Sequence, residues 1–124
     1  MHTSGSRVVV VVEDDPDIRE VLEEMLDAGG HHVLTASNGK EALEVLDRLA
    51  SPCLVLLDLM MPVMSGFAFL EELQRRPDKD RVSVLLISAN AQVEQTARGR
   101  GVVGFVKKPF DLDDVLALVD SHAK

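Results

Sequence analysis

The chain has no tryptophan and no tyrosine, so the usual stacking partners for a flavin ring are missing. No Gly-x-Gly-x-x-Gly opens a helix after the first apolar run, which argues against a dinucleotide carrier. Cys53 is the single cysteine. An internal disulfide is therefore excluded, and Cys53 reads as a small buried hydrophobe. The four histidines, His2, His31, His32 and His122, have no Cys or His partners at zinc spacing. His31 and His32 read as part of a solvated loop. Positive charge is scarce: 13 Lys and Arg face 21 Asp and Glu, for a net charge of −8 and a pI near 4.8. Nucleic-acid affinity rests on phosphate contacts from a basic face, so direct nucleic-acid binding is not expected. Long hydrophobic runs are also absent. Runs such as Val8–Val12 and residues 54–57 are short, far below the roughly 20 residues of a membrane helix. Residues 1–6 lack the apolar stretch of a signal peptide. A soluble, cytoplasmic chain with no membrane contact is the expectation.

Hydrophobic residues nevertheless make up 46% of 124 residues, enough for a core and typical of one domain. The expected unit is a single domain over 1–124, with 1–6 a flexible N-terminal tail. Val8–Val12 is an unbroken β-branched run, as in a strand buried on both faces. Asp15 can cap a following helix and Pro16 suits its first position. Ile18, Val21, Leu22, Met25 and Leu26 form its apolar stripe, and Gly29-Gly30 ends it. Residues 32–36 read as a second strand. Asn38 with Glu41 resembles a capping box, opening a helix marked by Ala42, Val45, Leu46 and Leu49. Residues 53–57 are a third strand. Phe67, Leu70 and Leu73 suggest a third helix, stopped by Pro77, and residues 78–81 read as a solvated loop. Strands follow at 82–87 and 102–106, with a weak polar helix over 93–98 between them. Asp111 can cap a last helix carrying Leu112, Val115, Leu116 and Val119. Five strand–helix units in alternation predict an α/β fold with a parallel sheet covered on both faces.

Polar residues gather where the predicted strands end. The first runs into Glu13, Asp14 and Asp15, the third into Asp58, the fourth into Ser88, and the fifth into Lys107, Lys108 and Pro109. Open α/β sheets bind ligands outside these carboxyl ends, where strand order reverses. Adjacent strands lie about 4.8 Å apart, so Asp14 and Asp58 meet if the first and third strands are neighbours. Carboxylates so close repel one another unless a cation intervenes. Mg²⁺ is hard and oxygen-seeking, and commonly binds one or two carboxylates together with phosphate. A lysine and a hydroxyl at the same spot suit phosphate oxygens.

Four segments carry a specific resemblance: Val-Val-Glu-Asp-Asp-Pro at 11–16, Leu-Leu-Asp-Leu-Met-Met-Pro-Val-Met-Ser-Gly at 56–66, Ile-Ser-Ala at 87–89 and Lys-Lys-Pro-Phe at 107–110. In this order and spanning nearly the whole chain, they resemble the CheY-like receiver domains of two-component response regulators. The resemblance implies a flavodoxin-like (βα)5 three-layer sandwich with strand order 2-1-3-4-5. It makes Asp58 the phosphoacceptor for a histidine kinase or phosphotransfer protein. It assigns Mg²⁺ to Glu13, Asp14, Asp58 and the backbone carbonyl of Met60. Ser88 and Lys108 would contact the phosphoryl group, and Ser88 and Phe105 would form the switch. Pro109 would follow a cis bond, which makes Lys108 rather than Lys107 the site lysine. The output would be a changed partner-binding face, read by a downstream protein or a linked output domain. Catalysis would be confined to the chain's own phosphorylation and dephosphorylation.

Two departures from the family pattern stand out. The stretch from Ser88 to Lys108 is about two residues short and contains Gly99 and Gly101, and glycine costs roughly 1 kcal/mol in a helix interior. The helix expected there should be short or displaced. Met60 also places an apolar side chain where attacking water must approach, and is expected to influence hydrolysis of the acyl phosphate. Competing readings are an aspartyl-phosphate hydrolase, which usually needs a second Asp where Met60 stands, and a pseudo-receiver that only binds partners.

Overall fold

The structure, a computed structural model, describes residues 7–49, 52–61, 63–89 and 101–122. In chain order the elements are β1 (Val8–Val12), α1 (Pro16–Ala28), β2 (Val33–Ala36), α2 (Gly39–Arg48), β3 (Cys53–Asp58), α3 (Gly66–Gln74), β4 (Val82–Ser88), β5 (Val102–Lys107) and α4 (Leu112–His122). The strands form one parallel sheet in the order β2-β1-β3-β4-β5, as expected. The tail at 1–6 and the helix expected over 93–98 lie outside the described residues.

Strand side chains alternate between the two faces of a sheet, and here both faces are dry. Val9, Val11, Leu54, Leu56, Leu85 and Ile87 pack on Leu22 and Leu26 of α1 and Val115 and Val119 of α4. Val10, Val12, Val55, Leu57, Val84 and Leu86 pack on Ala42 and Leu46 of α2 and on Phe69, Leu70 and Leu73 of α3. Two apolar faces explain why β1 and β3 read as continuous apolar runs rather than as alternating ones. The result is three layers, helices outside and sheet within.

Local signals act as their chemistry dictates. The Asp15 carboxylate accepts hydrogen bonds from the Asp17 and Ile18 N–H groups, with Pro16 opening α1. The Asn38 side chain accepts from the Glu41 N–H at 2.9 Å. Glu41 reaches back to the Ser37 N–H at 3.1 Å, one residue earlier than in a standard capping box. Asp111 accepts from the Asp113 N–H at 2.9 Å.

Four sequence readings need correction. Strands β3, β4 and β5 each run one residue further, because the ladder continues through Asp58 opposite Ile87 and Ser88 opposite Lys107. The buried stripe of α3 is Gly66, Phe69, Leu70 and Leu73, at helical spacing from Gly66, so Phe69 rather than Phe67 is the core aromatic. His31 is no solvated loop residue: its Nε2 lies 2.7 Å from Asp120 Oδ1, with the side chain only 12% exposed, tying the end of α1 to α4. Residues Lys79–Arg81 form a single 3-10 turn. Just before it the Arg76 guanidinium donates to both Asp78 oxygens, at 2.9 and 3.2 Å, and to Asp47 of α2 at 2.7 Å. Arginine's planar fork suits this bridging of two carboxylates.

The Arg76 hydrogen bonds hold the Asp78 carboxyl below its ordinary value of 3.8. A carboxyl lowered on folding stabilises above its unfolded pKa, and that contribution fades as pH falls through the folded value. Asp78→Asn should therefore lower the unfolding free energy by about 0.5–1 kcal/mol at neutral pH, the scale of a surface ion pair. Urea titrations should show the two proteins converging once the pH is well below 3.8. Equal stability at neutral pH would contradict the assignment.

Candidate functional site

Register builds the site. Val12 of β1 pairs with Leu57 of β3, so the next residue on each strand brings Glu13 beside Asp58. Both follow the alternation of residues facing α1 and α4, and both are buried, at 1% and 3% exposure. Asp14, one step on, is more open. One carboxylate oxygen from each of Glu13, Asp14 and Asp58 falls within 4.8 Å of the others. Asp15 faces away into its capping role.

Lys108 supplies the opposing charge. Its N–H donates to the Ser88 carbonyl at 2.9 Å, and its bond to Pro109 is cis. Its ammonium donates to Glu13 Oε1 at 3.1 Å and to Asp58 Oδ2 at 3.3 Å. Lys107 is exposed. Burial disfavours the Lys108 charge, but hydrogen bonds and charge from Glu13 and Asp58 outweigh it and hold the ammonium above its ordinary value. Glu13 is pushed up to about 7, first by burial and then by the adjacent Asp58. Arg19 of α1 adds a bond to the Glu13 carbonyl at 2.9 Å.

The remaining expected residues lie on β4, on β5 and on the loop after β3. Ser88 is buried at the end of β4. Phe105, opposite Leu86 in the ladder, is half-buried against the core on the α2–α3 side. The Met60 N–H donates to Asp58 Oδ1 at 3.1 Å, while its side chain is 69% exposed. A groove of about 420 Å³, lined by Ile18, Ala89, Lys108, Pro109 and Phe110, opens alongside. The Lys108–Glu13 contact and the Arg19 bond escaped the sequence reading. The first could have been found from strand parity, which carries Glu13 to the same face as Asp58.

Gly66 holds the loop after β3. Its N–H donates to the Leu59 carbonyl at 3.0 Å. A Cβ there would lie 2.7 Å from Leu59 Cα and 2.9 Å from the Asp58 carbonyl oxygen, so only glycine fits.

The donor set fits a divalent cation. It consists of hard oxygens only, two of the three acids are buried, and Glu13 is held towards its neutral form even with the Lys108 ammonium 3.1 Å away. Such a set suits Mg²⁺ rather than zinc.

The family model of the response regulator receiver domain matches residues 9–120. The chain belongs to this family. The receiver is 36% identical over 115 residues to the probable transcriptional regulator ycf27 of Porphyra purpurea, covering 91% of this chain. It spans 46% of that relative, about half its length. Among solved structures it resembles the Vibrio cholerae chemotaxis protein CheY4, with a TM-score of 0.84 and 25% identity over 94% of this chain and 98% of that one. It also resembles the response regulator protein TrrA from Thermotoga maritima in complex with Mg(2+)-BeF, with a TM-score of 0.79 and 30% identity, covering 93% of this chain and 97% of that one. No helix among the described residues is long and apolar enough to cross a membrane.

Gly66→Ala should destabilise the receiver by about 1–3 kcal/mol, the range for an overpacked site whose neighbours cannot move aside. Chemical denaturation measures this. An unchanged midpoint would show that the loop after β3 is looser than its geometry here.

Proposed function

We propose that this receiver takes a phosphoryl group onto Asp58 from a phosphohistidine of a sensor kinase or phosphotransfer protein, and signals through an altered partner-binding face. One observation carries the reading: Asp58 is desolvated at the carboxyl end of the central strand with Lys108 Nζ 3.3 Å away and two further acids converging on it.

The Asp58 residue acts as nucleophile. One carboxylate oxygen forms a bond to phosphorus as the donor's P–N bond breaks, and the electron pair departs with the imidazole, which takes up a proton. The Met60 N–H holds Asp58 Oδ1, which fixes the carboxylate plane. Lys108 shifts its hydrogen bond from the carboxylate to a phosphoryl oxygen. The Ser88 hydroxyl donates to another. Glu13, Asp14, Asp58 and the Met60 carbonyl would hold Mg²⁺, which supplies positive charge against the negative charge of transfer. The Mg(2+)-BeF complex of the Thermotoga maritima relative supports this choice of ion.

The new charge biases a two-state element. Ser88 moves towards the phosphoryl group and Phe105 turns inward behind it. The receiver then serves a downstream target or a linked output domain in the cytoplasm, with 1–124 as one signalling unit that modifies only itself.

Intact-mass measurement after incubation with Mg²⁺ and acetyl phosphate tests this. The receiver should gain one phosphoryl group, and Asp58→Asn or addition of EDTA should abolish the gain. No gain with any small donor or kinase would leave a protein-interaction module without phosphorylation.

A further inference from the structure

The two most exposed large apolar side chains among the described residues are Val63, at 80%, and Met60, at 69%. Both lie on the loop that follows the acceptor strand. Neither contributes to the core, so burial does not explain them. Val63 also has a φ of 67°, a left-handed conformation that is uncommon for a β-branched residue. The loop thus holds an apolar screen in water beside a charged site, at a conformational cost.

Within that screen Met60 differs from the other described methionines. Met25, Met61 and Met64 are each partly buried and packed against a core. Met64 is anchored further, its carbonyl accepting from the Gly39 N–H at 3.2 Å and its side chain filling the space where a Gly39 Cβ would stand. Among the described methionines, Met60 alone is largely exposed. Its backbone is pinned to the acceptor through the 3.1 Å bond to Asp58 Oδ1.

We propose that Met60 is a peroxide-sensitive modification site, and that its oxidation shortens the life of the acyl phosphate on Asp58. The inference rests on the phosphoacceptor reading of Asp58. In the chemical step the Met60 sulfur attacks one oxygen of a hydroperoxide, the O–O bond breaks, and a sulfoxide and water (or an alcohol) form. Sulfur is oxidised by two electrons and the peroxide reduced by two. The product replaces an apolar group with a strong hydrogen-bond acceptor. A thioether beside the acyl phosphate leaves water unsupported there. A sulfoxide holds and orients it, so hydrolysis quickens. The site thereby couples the lifetime of the signal to peroxide, and a thiol-dependent methionine sulfoxide reductase can reset it.

The test uses the whole chain with limiting hydrogen peroxide. Fragment mass spectrometry should find the added oxygen on Met60 before Met25, Met61 or Met64. After phosphorylation with acetyl phosphate and removal of the donor, the oxidised protein should lose its phosphoryl group about threefold faster or more than the unoxidised one. In Met60→Leu, each preparation is compared with itself before and after peroxide, and the acceleration should vanish. Met60→Gln, a polar mimic of the sulfoxide, should hydrolyse faster than Met60→Leu without any peroxide. Oxidation of Met25, Met61 or Met64 first, an unchanged lifetime, or a peroxide response that persists in Met60→Leu would each overturn the inference. A chain that never gains the phosphoryl group would sink the functional reading itself, and this inference with it.

Discussion

Repulsion among acids at the end of a dry sheet is the constraint around which this molecule is organised. Strand pairing places Glu13 and Asp58 side by side, and neither reaches water freely. Two buried carboxylates in contact are unstable as a pair of anions. Lys108 relieves part of the conflict by donating to both, and Glu13 relieves part by being held towards its neutral form. A divalent cation would relieve it more fully, since it can accept oxygens from all three acids at once. The site thus concentrates negative charge that added positive charge would offset.

The rest of the fold supports that point. Both faces of the sheet are packed by helices, so the strand ends are the places where polar groups can emerge. Each connection near the site is fixed by its own small device. Asp15 caps α1 and so leaves Glu13 and Asp14 to the cluster. Gly66 lets the loop after β3 turn back against Leu59. The Lys108 N–H grips the end of β4. Farther away, Arg76 ties α2 to the connection before β4, and His31 ties α1 to α4. These ties brace the helical layers without touching the acids.

Much of this was legible in the residues. Alternation of apolar runs with amphipathic stripes predicted the elements, and the strand order followed from the resemblance to receivers. The residues that converge on Asp58, namely Glu13, Asp14 and Lys108, were all visible because each follows an apolar strand or adjoins Pro109. Less legible were features set by three-dimensional packing. Phe69 outranks Phe67 because the helix begins its buried stripe at a glycine, which periodicity counts do not weigh. The His31 and Arg76 bridges join residues 89 and 29 positions apart, and no local pattern announces them. Strand ends were placed one residue short because polar residues were taken to stop strands, whereas here the ladder carries them.

A cation shared among the three acids can be sought directly by diffraction. Crystals grown with Mn²⁺ as a Mg²⁺ substitute should give one strong anomalous peak at the carboxyl end of β1 and β3. It should lie within about 2.0–2.2 Å of oxygens from Asp14, Asp58 and the Met60 carbonyl, near the range of small hard cations, with Glu13 bound directly or through one water. Ordered Mn²⁺ elsewhere with none at this point, or an intact Lys108 bridge filling the site at saturating metal, would contradict the account.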